Sequence, residues 1–125
     1  MQIPEGLRYT ENHEWIAVDD DGKVRIGITD FAQDALGDVV FVDLPDVGAE
    51  VIAGEPFAEI ESTKSVADVY APISGTVVAT NEVLINAPET INADPYGQAW
   101  FVVLEGDPGG IEALMDPAAY ARFSG

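Results

Sequence analysis

The sequence predicts a mainly β domain, a sandwich or flattened barrel with a few short helices, on three observations. Short β-branched stretches recur with Gly and Pro between them, as at Pro45-Asp46-Val47-Gly48 and Gly54-Glu55-Pro56, the punctuation of short strands joined by tight turns. Toward the N-terminus, apolar and polar positions mix at near period two. Around Lys64 the flanks are near mirror images: Pro56 and Pro72 lie equally far from it, and Gly54 and Gly75 differ by one residue. Folding the chain back at Lys64 pairs like with like and puts the lysine at a hairpin tip.

Residues 8–18 and 23–29, with Trp15 and Ala17 on one side and Val24, Ile26 and Ile28 on the other, read as an antiparallel pair joined by Asp21-Gly22. Thr29-Asp30 caps a short helix through Phe31, Ala32, Ala35 and Leu36, and Gly37 is expected to stop it in the left-handed conformation. Asp38 to Leu44 is strongly β-branched and reads as a strand, followed by strands around 50–53, 56–62, 66–71 and 73–80. Residues 81–97 have weak periodicity and are predicted as an ordered loop with one short helix near 82–86. Ala99 to Leu104 supplies the last strand. After Asp107-Pro108-Gly109-Gly110, the helical spacing of Ile111, Leu114 and Met115 and the N-cap and first-turn pair Asp116-Pro117 predict a helical segment over about 109–123, packed on the sheet. The whole of 1–125 reads as one domain, with the Lys64 hairpin taken to span about 56–80.

Composition narrows the function. There is no cysteine, which excludes disulfide staples, thiolate metal sites and cysteine nucleophiles. A formal charge of −18, from 23 acidic against 5 basic side chains, argues against nucleic acid and against anionic membrane surfaces. The acidity fits steering toward basic partner proteins, solubility and salt adaptation equally. No apolar run approaches the roughly 18 residues of a membrane span, and the N-terminus lacks a secretory signal. The chain is therefore expected to be soluble and cytoplasmic, or in the mitochondrial matrix if a transit peptide has been removed.

No catalytic constellation emerges. His13 is the one histidine, so no histidine metal cluster can form, and the scattered carboxylates follow no metal-loop pattern. No Gly-rich phosphate loop or nucleophile elbow is present. His13, beside Glu14 and Trp15, reads as a structural or surface histidine rather than half of a proton-transfer pair. What stands out is an amine. The chain has two lysines, Lys23 in an ordinary turn after Asp19-Asp20-Asp21-Gly22 and Lys64 at the hairpin tip. A lysine in a polar turn is ordinarily solvated surface, but one displayed amine without catalytic machinery points to a carrier.

The residues around Lys64, Glu61-Ser62-Thr63-Lys64-Ser65 and Asp68-Val69-Tyr70-Ala71-Pro72-Ile73-Ser74-Gly75, closely resemble the lipoyl-attachment segment of the glycine cleavage system H proteins. Further blocks follow in family order: Tyr9-Thr10 with His13-Glu14-Trp15, Gly27 to Gln33, Leu36 to Pro45, Pro88, Ile91-Asn92, Pro95-Tyr96-Gly97, Trp100 and Leu114-Met115-Asp116. The resemblance covers about residues 6–123 and implies a hybrid barrel-sandwich domain with short helices after the first hairpin and at the C-terminus. It implies lipoic acid in amide linkage to Lys64, installed by lipoate-attaching enzymes. It implies a non-catalytic, monomeric shuttle that takes the aminomethyl group of glycine from the pyridoxal-phosphate glycine decarboxylase (P protein) to the tetrahydrofolate-dependent aminomethyltransferase (T protein), with reoxidation by dihydrolipoamide dehydrogenase (L protein). By motif position, Asn12, His13, Glu14 and Asp68 are the residues it nominates to shelter the loaded arm.

Thr63 and Ser65 stand where many relatives carry small apolar residues, and Thr90 where leucine is common. The same Thr63 and Ser65 argue against a biotin carrier, which normally flanks its lysine with methionines. A lipoyl domain of a 2-oxo acid dehydrogenase lacks the His13-Glu14-Trp15 block and the C-terminal helices. An H-like lipoyl donor in a lipoate relay, or a lipoyl domain of another complex, remains the alternative function.

Overall fold

The computed structural model describes residues 1–106 and 108–124; Asp107, which opens the turn expected at 107–110, and Gly125 lie outside the described residues. In chain order the elements are β1 (Arg8–Tyr9), β2 (Glu14–Val18), β3 (Val24–Ile28), α1 (Asp30–Leu36), β4 (Val39–Asp43), β5 (Glu50–Val51), β6 (Pro56–Ser62), β7 (Val66–Tyr70) and β8 (Gly75–Thr80). They continue with α2 (Val83–Asn86), α3 (Thr90–Ala93), β9 (Val102–Gly106), a 3-10 helix (Pro108–Ala113) and α4 (Pro117–Ser124). Two antiparallel sheets result: six strands in the order β1-β2-β3-β9-β8-β5, and three in the order β4-β6-β7.

Strand alternation builds the core between them. In β6, Ala58, Ile60 and Ser62 turn inward while Glu59 and Glu61 face out. Ile60, Val69 and Val42 meet Ile26, Val24, Val77 and Leu104 of the larger sheet in one buried cluster. Burying each such side chain contributes about 1.5–3 kcal/mol, which makes the three-stranded sheet a rigid base for whatever its hairpin carries. A second cluster of Tyr9, Trp15 and Tyr120 ties α4 to the first hairpin. Asp116 caps α4 through Ala119 N–H at 2.8 Å, with Pro117 in its first turn.

Several local expectations are corrected. The strand expected over 8–18 is two strands, because His13 takes a positive φ of 65° and the chain reverses between Tyr9 and Glu14. Thr10 N–H donates to the Glu14 carbonyl and His13 N–H to that of Thr10, so β1 folds back with Arg8 facing Ile16. The reversal uses no glycine, and period-two spacing could not reveal it. Gly37 does end α1, but at φ 80°, ψ −156° it is not left-handed helical; it occupies an extended positive-φ region open essentially to glycine. The last strand starts at Val102 rather than Ala99, and α3 was not expected at all, being one four-residue turn with no capping side chain.

The Lys64 hairpin is shifted from the mirror reading. Glu61 faces Val66, Glu59 faces Asp68, and after a bulge Pro56 faces Tyr70, not Pro72. Glu61 against Val66 centres the ladder between Thr63 and Lys64. Beyond Tyr70 the ladder closes with Ala71 N–H on the Glu55 carbonyl, and Pro72, with no N–H to donate, begins the crossing to the other sheet. Residues Gly75–Thr80 pair there with β5 and β9, outside the β6–β7 hairpin.

Candidate functional site

The turn carrying Lys64 is tied by its own backbone. Ser62 N–H donates to the Ser65 carbonyl at 2.8 Å, leaving Thr63 and Lys64 as the loop. The Ser62 hydroxyl, on a residue 8% exposed, accepts from Lys64 N–H at 3.2 Å and Ser65 N–H at 3.1 Å. The remaining amide, Thr63 N–H, donates to the Asp38 carbonyl at 3.0 Å. A short hydroxyl side chain at this spot satisfies two turn amides that a carbon side chain would leave bare. The Lys64 side chain is exposed.

Below the turn lies the junction of α1 and β4. A Cβ placed on Gly37 would sit 2.9 Å from Lys64 Cε and 3.5 Å from Nζ, so the lysine stem crosses a spot that a side chain would fill. Asn92 of α3 holds that junction: its Nδ2 donates to the Gly37 carbonyl at 2.8 Å and to Gln33 Oε1 at 3.0 Å, and its Oδ1 accepts from Val39 N–H at 2.9 Å. Ser62 and Asn92 escaped functional notice in the sequence. Both stand in the quoted family blocks, yet neither residue type signals a site without its partners.

The outer face of the three-stranded sheet shows two rows. Nearest the turn, Phe41, Glu61 and Val66 stand side by side, with Phe41 51% and Val66 57% exposed. One step further, Asp43, Glu59 and Asp68 form an exposed acidic row.

The four nominated sheltering residues are placed differently from one another. Glu14 is 1% exposed; its Oε1 accepts from the Thr10 hydroxyl at 2.9 Å and its Oε2 from Tyr70 N–H at 2.7 Å. Burial pushes its carboxyl above the usual range, opposed by those two hydrogen bonds. Glu14 thus fastens the first hairpin to β7, two residues along the strand from the exposed Asp68. His13 Nδ1 lies 2.7 Å from the Tyr120 hydroxyl, which lies 2.8 Å from Thr29 Oγ1, and its ring stacks on Phe31 at 4.3 Å. Burial holds its pKa down. Asn12 is exposed and lines a shallow depression of about 300 Å3 together with Thr10, Leu114 and Met115. Among the described residues no three His, Cys, Asp or Glu side chains gather to hold a metal ion. No described helix is long and apolar enough to cross a membrane.

Two antiparallel sheets holding one exposed lysine on a turn whose four backbone amides are all hydrogen-bonded define a lysine-presenting domain of the barrel-sandwich hybrid class. The chain belongs to the glycine cleavage H-protein family, whose model matches residues 7–124. It is 53% identical over 126 residues to the glycine cleavage system H protein of Coprothermobacter proteolyticus, covering 100% of this chain and 99% of that relative. It is 57% identical over 124 residues to that of Micrococcus luteus, covering 98% and 97%. The crystal structure of a glycine cleavage system H protein from Mycobacterium marinum matches with a TM-score of 0.86 at 46% identity, over 96% of this chain and 97% of that one. The two-sheet, mainly β architecture expected from sequence is the one this relative has.

Proposed function

We propose that the protein is the lipoyl carrier of the glycine cleavage system, with lipoic acid in amide linkage to Nζ of Lys64. The observation that carries this reading is the turn itself: four backbone amides, those of Ser62, Thr63, Lys64 and Ser65, each held by Ser62, Ser65 or Asp38, and one exposed amine beyond them. The space over Gly37 leaves the stem and an amide-linked chain unobstructed at their root. When attached, the lipoyl group would supply a redox-active dithiolane able to carry an aminomethyl carbon. The chain's own part is to hold the root of the arm still. A fixed root and a long flexible arm raise the local concentration at a docked enzyme, so docking itself can stay weak and exchange fast.

The acidic row Asp43, Glu59 and Asp68 supports recognition by basic enzyme surfaces. Like charges placed directly opposite repel one another, and a cationic partner relieves that cost. The partners on this reading are the lipoate-attaching enzymes, the glycine decarboxylase, the aminomethyltransferase and dihydrolipoamide dehydrogenase. Asn12, His13, Glu14 and Asp68 are proposed to shelter the loaded arm from water, with Asp68 the exposed carboxylate available to an ammonium end and Glu14 the buried support behind it. If Glu14→Ala and Asp68→Ala chains keep the loaded arm as long as the parent does, the shelter assignment is wrong.

Reconstitution tests the function. With the decarboxylase, transferase and dehydrogenase of a relative, glycine-dependent release of carbon dioxide should require the lipoylated chain and vanish with Lys64→Arg. A lipoylated chain that supports no turnover would instead favour a lipoyl donor outside glycine cleavage.

A further inference from the structure

We propose that Gly37, braced by Asn92, is the resting seat of the Lys64 stem, a positioning device that narrows the directions in which the amine leaves the protein. The inference rests on the carrier reading for its functional meaning and on geometry for its substance. The ε-methylene of Lys64 lies 2.9 Å from where a Cβ on Gly37 would be, with Cδ at 3.8 Å and Nζ at 3.5 Å, so the stem runs across the glycine rather than away from it. A Cβ on Gly37 would take that space and displace the flexible Lys64 stem, and the φ of 80° and ψ of −156° disfavour every other residue independently.

The seat is held from behind. Asn92 pairs with the Gly37 carbonyl and the Val39 N–H, the C=O and N–H two residues apart that a neighbouring strand would otherwise engage. Its second amide proton goes to Gln33 Oε1, and Gln33 Nε2 donates to Asp30 Oδ1 at 2.8 Å, linking the brace to the start of α1. Between the two bonded groups, the Asp38 carbonyl accepts Thr63 N–H. One three-residue segment, 37–39, therefore carries the brace, supports the turn and receives the lysine stem. A lysine whose rotamers are already restricted loses less freedom when an acylating enzyme captures it.

Selective 13C labelling of the lysine ε-methylenes tests this, because the chain has two lysines and gives two signals. In the unmodified protein the Lys64 ε-protons should show a nuclear Overhauser effect to the Gly37 α-protons, and Gly37→Ala should move the Lys64 signal and leave that of Lys23 in place. With a lipoate ligase, free lipoate and ATP, Gly37→Ala should raise KM for the chain about two- to tenfold at unchanged kcat, the loss expected for one newly mobile side chain. Asn92→Ala should act in the same direction by less. Gly48→Ala is the control: its φ of 95° carries the same kind of backbone penalty, and a Cβ there meets nothing within 4 Å. No Overhauser contact in the parent, or equal KM values for Gly37→Ala and Gly48→Ala, would overturn the seat. Failure of the parent to be acylated at all would sink the carrier reading, and the Overhauser contact would then decide the seat alone.

Discussion

The two lysines sit in two hairpin turns that treat their amines differently. At Lys23 the turn is closed locally: Gly22 at φ 83° makes the bend, and Lys23 Nζ is paired with Asp21 at 2.9 Å two residues away. At Lys64 the turn is closed by its own residues Ser62 and Ser65 and is tied in addition to the Asp38 carbonyl of another segment, and no carboxylate of the described residues pairs with its amine. The Lys23 amine is met by its own neighbour in an exposed, screened pair. A lysine whose backbone is immobilised and whose charge is unanswered is available to a partner.

Removing what supports each turn should separate them. The largest effect is expected under the Lys64 hairpin: Ile60 is 1% exposed in the core, and Ile60→Ala should cost about 2–5 kcal/mol in denaturant unfolding. Next is Glu14→Ala, which leaves the Tyr70 N–H at the base of that hairpin without its acceptor and should cost about 1–3 kcal/mol by the same measurement. Smaller still is Ser62→Ala, about 1 kcal/mol from the two half-buried turn amides it strips, together with faster amide exchange at Lys64 and Ser65. Asp21→Asn, in the Lys23 turn, should leave the melting temperature unchanged, since an exposed pair is screened by water. If Asp21→Asn disturbed the fold as much as Ser62→Ala, the contrast between the turns would fail.

Glu14 adds a pH signature confined to the supported side. Burial raises its pKa in the folded protein, so between the ordinary carboxylate value and the raised one the folded state binds more protons than the unfolded state. Its contribution to stability is therefore fullest at low pH and is lost as pH rises through that interval. Thermal melts of Glu14→Gln, compared with the parent across that interval, should lack this downward slope. A parent and variant with parallel pH profiles would show that Glu14 titrates as an ordinary carboxylate.

Much of this was legible in the sequence where chemistry is local. Thr29 and Asp116 announced their helices because an N-cap needs only a short acceptor and the next three amides. The strands of the hairpin showed in alternation and in their Gly and Pro borders. What stayed hidden depends on residues far apart in the chain: Asn92 meets Gly37 across 55 positions, and Glu14 meets Tyr70 across 56. The chain reversal at His13 was missed because it is imposed by backbone bonds at a position without glycine, where positive φ is uncommon. Lys64 itself was legible from scarcity and symmetry, although the true axis lies half a residue from it. The reason it is well presented lies in Ser62, Gly37 and Asn92.

The central claim is that one of the two amines is built to carry an arm, and intact and peptide mass spectrometry of protein made in a lipoate-competent host addresses it most directly. One lipoyl adduct is expected, located on Lys64, absent from Lys23 and lost in Lys64→Arg. A chain without the adduct, or an adduct that survives Lys64→Arg, would contradict it.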